Sequence, residues 1–391
     1  MHALAVLHQK IRCACHRIHA ARLNALIETA GALLRGRRLA LTSLGRSMAS
    51  RAHVKHSIKR VDRLLGNPQL QRERASIYAA LMALMLRGNA RPVIIVDWSD
   101  LATAGEEQLL RAALPMEGRA ITLYEEVHPL IKLGSPHVQR RFLRRLQTLL
   151  PDAVRPIVVT DAGFRNSWFK AVSALSWDWV GRIRNRTYVQ RADGLWQPGK
   201  ALYARATVQP QFLGEGCLAR SNPVPCYFYA VRRARQCRRY RISSTHQRVK
   251  SAQREREPWL LASSLSNAPG MAQRVIGLYK TRMQIEEAFR DLKSIRYGFA
   301  LRVSKTQSIK RLQMLLLISA LATFAALVIG KALEHQCQHM QFQANTTKHR
   351  RVLSLFYLGC QAILNPLLSL SRTQIQQAFA LLFATPHHEQ L

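Results

Sequence analysis

Two short runs of β-branched residues, Val93 to Val96 and Ile157 to Thr160, each lead straight into an aspartate, Asp97 and Asp161. Prolines precede both runs (Pro92 and Pro156), and turn formers follow them (Ser99-Asp100 and Ala162-Gly163). Short apolar runs bounded in this way predict buried strands, here the two centres of an α/β sheet. In an open α/β sheet, sites are built at strand ends, so two acids at such ends are candidates for chemistry. Taken singly, either aspartate also reads as an ordinary turn former.

Around these strands the pattern continues. Gln108 to Met116 and Ala120 to Val127 flank Glu117-Gly118-Arg119 and predict a hairpin beside the first strand. Val138 to Leu150 is amphipathic, residues 165–175 look helical, and Trp179 to Arg184 predicts another strand. From about residue 186 to 257 the sequence is turn-rich, with strand-like pieces such as Cys226 to Val231. This stretch ends in a basic segment: residues 230–256 hold ten Lys or Arg against the single acid Glu255. Pro258 to Ser263 resumes as a strand, and Gln273 to Ser294 is predicted to be one long helix.

Charge narrows the partner. Lys and Arg number 59 against 22 Asp and Glu, a formal net charge of +37, and such a field attracts polyanions. The first 88 residues read as helical and share the imbalance. Leu41 to Met48, a short break, and Val54 to Leu65 have helix-turn-helix length, and the second segment carries Lys55, Lys59, Arg60 and Arg63. A basic solvated helix in a bundle fits those residues equally well. The seven cysteines are scattered and odd in number, which suits reduced thiols in a cytoplasm. Met314 to Gly330 is apolar but short for a span, and is expected to be a buried helix, with no membrane partner. No Gly-rich nucleotide loop is present, so no nucleotide cofactor is expected.

On the predicted long helix, Tyr279, Arg282, Glu286 and Lys293 follow at spacings of three, four and seven and fall on one polar stripe. Leu278, Ile285, Phe289 and Leu292 form the adjoining apolar stripe, while Glu287 and Asp291 point elsewhere. Three carboxylates, Asp97, Asp161 and Glu286, would supply the oxygen ligands that metal-assisted phosphodiester cleavage requires, with cations nearby for phosphates. Stripe geometry alone does not outweigh a solvated helix with intrahelical ion pairs.

The pattern Y-x2-R-x3-E-x6-K at Tyr279, Arg282, Glu286 and Lys293 resembles the signature of the insertion-sequence-four group of DDE transposases. Val96-Asp97-Trp98-Ser99-Asp100, Thr160-Asp161-Ala162-Gly163-Phe164, Met283 to Lys293 and Phe342-Gln343-Ala344-Asn345 resemble its transposon-Tn-ten branch in particular, and the likeness runs from Arg22 to about Leu364. The resemblance implies an α/β, ribonuclease-H-like catalytic core interrupted by a β-rich insertion. Its domains would be residues 1–88 (helical, DNA-binding), 89–185 and 258–335 (the two parts of the core), 186–257 (the basic insertion) and 336–391 (helical, a candidate dimer contact).

It implies a bacterial, cytoplasmic, nucleoid-associated cut-and-paste enzyme that binds terminal inverted repeats and target DNA as a homodimer. Asp97, Asp161 and Glu286 would hold Mg²⁺, with Mn²⁺ as a substitute. Excision would pass through a nick, a hairpin and its resolution before the 3′-OH joins target DNA. Tyr279, Arg282 and Lys293 would contact DNA. Trp259 stands where relatives flip a base onto tryptophan, although a tryptophan at a strand start equally fills a core. The alternatives are a same-fold nuclease without a hairpin step and a domesticated, inactive DNA-binding regulator.

Overall fold

The computed structural model describes residues 2–101, 106–184, 187–192, 194–232 and 257–384. Val93–Asp100 (β1), Glu107–Pro115 (β2) and Ala120–Pro129 (β3) make an antiparallel meander, which is the hairpin expected beside the first strand. Ile157–Thr160 (β4) pairs with the other edge of β1 in parallel, and Asp178–Ile183 (β5) pairs in parallel with β4. Tyr188–Arg191 (β6), Gln197–Pro198 (β7), Gln211–Leu218 (β8), Val224–Val231 (β9) and Trp259–Ser263 (β10) follow. All ten form one mixed sheet in the order β3-β2-β1-β4-β5-β10-β9-β8-β6-β7.

The strands of residues 186–257 therefore extend the same sheet and do not fold beside it as a separate unit. The hinge of this arrangement is β10, which pairs antiparallel with β5 on one edge and with β9 on the other. An unpaired central strand edge would leave a row of backbone groups open, and the added strands cover it. The basic run expected at residues 230–256 lies, from residue 233 onward, outside the described residues.

Helices cover both faces. Pro136–Leu149 (α6) and Asn166–Ser173 (α7) pack on one of them. A Cβ on Gly181 would fall 2.3 Å from the Phe169 ring, so α7 presses directly on β5 from the side to which Gly181 points. Strand residues alternate, so Val180 and Arg182 point to the opposite face. There Met271–Lys280 (α8) buries Val275, Ile276 and Leu278 against Val93, Val159 and Val180. Met283–Lys293 (α9) continues along the same face over β1, β2 and β3.

The expected long helix over residues 273–294 is thus two helices, broken at Thr281-Arg282. No Pro or Gly marks the break. The N–H groups of Thr281, Arg282, Gln284 and Ile285 each bond a carbonyl three residues back, and the Thr281 hydroxyl donates to the Leu278 carbonyl at 2.7 Å. Such tightened turns and hydroxyl back-bonds interrupt the regular ladder.

The remaining helices are His2–Ala14 (α1), Ala20–Gly36 (α2), Leu41–Arg46 (α3), Val54–Gly66 (α4), Pro68–Met85 (α5), Ile309–His335 (α10), Leu355–Leu364 (α11) and Arg372–Phe383 (α12). At their centre lies α10, long and apolar enough to cross a membrane, with 89% of its apolar window buried inside the protein. Helices α1, α2, α4 and α5 pack on it from one end of the sequence and α11 and α12 from the other. One continuous apolar core therefore joins Leu26, Leu65 and Leu81 to Leu316, Phe356 and Ile375. The described parts of the two segments read separately from the sequence, residues 2–88 and 336–384, meet in this layer.

Candidate active site

Strand register assembles the first two carboxylates. In the parallel pair, Val93 lies opposite Ile157 and Val96 opposite Thr160, so the next position sets Asp97 beside Asp161. Asp161 follows the last residue of β4, as expected. Asp97 does not end its strand: β1 runs on to Asp100, paired by then only with β2. What stops at Asp97 is the parallel partner, and this opens room beside it.

The backbone N–H of Trp98 donates to Asp97 Oδ1 at 2.8 Å, and that of Gly163 donates to Asp161 Oδ1 at 2.8 Å. A Cβ on Gly163 would stand 3.0 Å from that same oxygen, so the absence of a side chain there lets the loop turn tightly around the carboxylate. Asp97 is 9% exposed. Burial first, then the neighbouring charges of Asp161 and Glu286, push its carboxyl up to about 8, although Arg282 and the Trp98 N–H work in the other direction.

Arg282 bridges to the third acid. Its Nη1 lies 2.7 Å from Glu286 Oε1 and 3.4 Å from Asp97 Oδ2. Burial disfavours its charge, but Tyr279, Glu286 and Asp97 more than offset this and raise its pKa. Its Nε has no hydrogen-bond partner among the described residues. Lys293, one helix face along, donates to Ser99 Oγ at 2.8 Å and lies 3.7 Å from Asp100 Oδ2; burial pulls its pKa down. The structure thus brings Asp97, Asp161, Arg282 and Glu286 together where the parallel pairing of β1 and β4 ends, with Lys293 beside them.

Two expected contact residues stand differently. Because the helix breaks before Arg282, Tyr279 belongs to α8 and does not share a continuous stripe with Glu286. It is 2% exposed, packed edge-on against Trp259 with ring centroids 4.9 Å apart. Burial raises the Tyr279 pKa. Trp259 is itself buried at the start of β10, so in this conformation its ring fills the core under α8 and is not offered to a base. At the N-terminal end, Lys55, Lys59 and Arg63 form an exposed stripe on α4, whereas Arg60 is held by Glu28 at 2.5 Å. A Cβ on Gly45 would meet Ile58 at 2.6 Å, so α3 and α4 cross in close contact.

Sequence reading missed three supports. Arg182 follows Gly181, the partner of Thr160, so register places it beside Asp161 on the same face as both aspartates; its charge acts on Tyr279. The signal was only the alternation Gly181-Arg182, without the strand pairing that gives it a neighbour. The turn of the β2–β3 hairpin grips α9: the Met116 N–H donates to Gln284 Oε1 at 2.8 Å, and Arg119 Nε meets Asp291 Oδ2 at 2.5 Å and Glu287 at 3.9 Å. Glu287 and Asp291 therefore point away from the carboxylate cluster, as expected. Third, Arg111, opposite Asp97 across β1 and β2, is 4% exposed and pairs with fully buried Glu125 at 2.7 Å. The Tyr78 hydroxyl also donates to Glu125, and the Arg111 guanidinium lies 5.1 Å from the Phe289 ring centroid on α9. These three contacts fix the helix that carries Glu286.

Among the described residues no group of three His, Cys, Asp or Glu side chains converges tightly enough to hold a metal ion. In place of that convergence the Arg282 guanidinium sits between Asp97 and Glu286. The donor set itself suits a hard divalent cation: carboxylate oxygens, among them those of Asp97, whose pKa burial and the like charges of Asp161 and Glu286 raise.

These features define a class: a mixed α/β protein with a carboxylate and guanidinium centre where parallel strands end. Within it the chain belongs to the DDE transposase family, since the family model described as "Transposase DDE domain" matches residues 88–323, more than half of the chain. DNA transposition is the work of that family, and its members generally use divalent metal ions. Among solved structures, the chain is similar to the piggyBac transposase in the cryo-EM structure of its synaptic complex with hairpin DNA. Identity there is 10% and the TM-score 0.43, with 95% of this chain and 76% of that one covered. No curated protein matches the sequence.

Proposed function

We propose that this DNA transposase is a cut-and-paste enzyme of the insertion-sequence-four group with a ribonuclease-H-like catalytic core. The observation that carries the reading is the register that sets Asp97 beside Asp161, under a helix whose Glu286 shares Arg282 with Asp97. The order of the first five strands, β3-β2-β1-β4-β5, supports the core, and the strands from β6 to β9 serve as its insertion.

Asp97, Asp161 and Glu286 would hold Mg²⁺, or Mn²⁺ in its place. A bound divalent metal supplies activation of the attacking oxygen and stabilisation of the leaving one. The chain's own residues orient the phosphodiester. Arg282 and Lys293 are cations beside the acids, able to take phosphate oxygens in charge-assisted hydrogen bonds once Glu286 turns from Arg282 to the metal. Arg182 extends that cationic edge past Asp161. Tyr279 supports Arg282, its ring 5.7 Å from the guanidinium. For Trp259 to stack on a flipped base, it would have to leave Tyr279 or let the base slide between them.

Residues 1–88 are proposed to read the terminal inverted repeats, with Lys55, Lys59 and Arg63 of α4 facing the groove and α3 bracing it. Arg60 acts there through Glu28. The C-terminal helices are proposed to serve a homodimer that synapses two ends in the bacterial nucleoid. Excision would proceed by nicking, hairpin formation and hairpin opening, with the 3′-OH then joined to target DNA.

The test uses purified protein, its own gene with flanking DNA, and Mg²⁺ or EDTA, comparing wild type with Asp161→Ala. Metal-dependent breaks at the element ends, seen as hairpins on denaturing gels and absent in the variant, are the expected result. Specific binding without cleavage by folded wild type would instead mark a regulator, and cuts without hairpins a nuclease or another transposition route.

A further inference from the structure

The turn that leaves β3 is apolar and exposed. Leu130, Ile131 and Leu133 are 40%, 86% and 47% exposed, three large aliphatic side chains in four residues with none of the described residues folded over them. The turn is not loose. Leu130–Lys132 is a 3₁₀ turn, the Leu133 N–H bonds the Leu130 carbonyl at 2.9 Å, and the Ser135 N–H bonds Lys132 at 3.1 Å. Gly134 closes it at φ +69°, a conformation that favours glycine. Immediately beyond, α6 presents Arg140, Arg141, Arg144 and Arg145 to solvent. Arg141 has a distant partner in Glu126 at 3.9 Å; Arg140, Arg144 and Arg145 have no ion pair among the described residues.

Position gives the patch a meaning. Asp97, Arg111 and Glu125 lie in one row across β1, β2 and β3, and Pro129 lies four residues further toward the same edge. At strand spacings of about 4.8 Å and rises of about 3.4 Å per residue, the turn starts roughly 17 Å from Asp97. A duplex engaged at the carboxylates would cross it.

We infer that the Leu130–Leu133 turn and the arginine face of α6 seat the target duplex, with Ile131 wedged between base steps and Arg140, Arg141, Arg144 and Arg145 on phosphates. This rests on the transposase reading above. Aliphatic wedges unstack and kink duplex DNA, and the arginines that hold the bent backbone carry no sequence information. Both traits suit DNA that arrives with no fixed sequence, as a target does. The ends of the element have their own proposed reader in α4. A second copy of the chain is a poor occupant, because in an isologous contact this basic face would meet another like itself.

The experiment gives full-length protein and Mg²⁺ two substrates: an uncut element end, and a pre-cleaved end with a supercoiled plasmid as target. For the variant with Arg140, Arg141, Arg144 and Arg145 all changed to Gln, end cleavage is expected within twofold of wild type, while strand transfer falls at least tenfold. The salt dependence of plasmid binding should flatten by up to about 3.6 in log–log slope, about 0.9 for each of four phosphate contacts. Ile131→Ser should lose transfer into intact plasmid and regain it on targets carrying a mismatch, where unstacking is already cheap. Wild-type transfer by both variants would overturn the inference. So would loss of end cleavage in step with transfer, which would assign the face to end binding or assembly. An inactive wild type would count against the transposase reading itself, and the plasmid-binding slope, which needs no cleavage, would still decide the surface.

Discussion

Beneath α9 the charges are paired and mostly buried, Asp97 with the exposed Glu286 through Arg282, Arg111 with Glu125, whereas on α6 across the sheet Arg140, Arg144 and Arg145 stand in water without an ion pair among the described residues. A buried charge is costly unless paired, so the first face can keep its ions only in fixed geometry, and there burial and neighbouring like charge raise the pKa of Asp97. An exposed charge costs little and stays at full strength for a distant polyanion. The first arrangement suits chemistry at fixed positions, the second attraction of a polyanion from a distance.

The comparison breaks most sharply at the acids. Asp161→Ala is expected to lower metal-dependent cleavage by on the order of 10³-fold or more, with the fold intact by circular dichroism. Next comes the buried pair. Glu125→Gln leaves Arg111 without its counter-charge and should cost about 3–5 kcal/mol in urea unfolding, whereas a double change to Arg111→Met and Glu125→Leu should recover most of it.

Proton linkage sharpens the same point. The folded Asp97 carboxyl titrates near 8, above its ordinary 3.8, so the metal-free native state binds a proton more tightly than the unfolded chain. Metal-free stability should therefore fall as pH rises from about 4 to about 8 and level off above it. Asp97→Asn should remove that slope and raise the melting temperature. Divalent-metal affinity of the wild type, followed by calorimetry, should increase over the same window, because metal and proton compete for Asp97. Arg282→Gln, which removes the cation that holds this pKa down, should move the affinity rise to higher pH; an unmoved midpoint would show that the guanidinium does not tune the site. The smallest effect is expected on α6, where changing all four arginines to Gln should alter unfolding free energy by no more than about 0.5 kcal/mol.

What the sequence revealed follows how local each feature is. The strand that stops before Asp161, the hairpin around Gly118 and the α3–α4 pair are set by contiguous residues and appear where pattern and turn chemistry put them, while β1 starts where expected but runs past Asp97 to Asp100. Glu286 stands out by spacing and family likeness together, but the single helix that the periodicity predicts there is two. Thr281 breaks it through a hydroxyl bond that no propensity signals, and Tyr279 consequently faces the core. Arg182, Arg111 and Arg119 were invisible because their importance comes from strands and helices far away in sequence: the partner of Arg182 is found only through β4–β5 pairing, and that of Arg119 only once α9 lies on the hairpin. The same holds for β6 to β9, whose membership in the main sheet depends on β10 offering an edge.

The layer around α10 has a consequence in time. Helices α1 to α5 are made first, yet the surface they pack on begins at Ile309, 224 residues after Met85. At roughly 5–20 residues per second, a ribosome needs about 11–45 s to cover that distance. During that interval the helices bearing the Lys55, Lys59 and Arg63 stripe have no finished core to stand on, and the sheet with its acids is completed before they have one. A chain released early would thus lack the layer that supports this stripe, which is completed only after the sheet and its acids are in place.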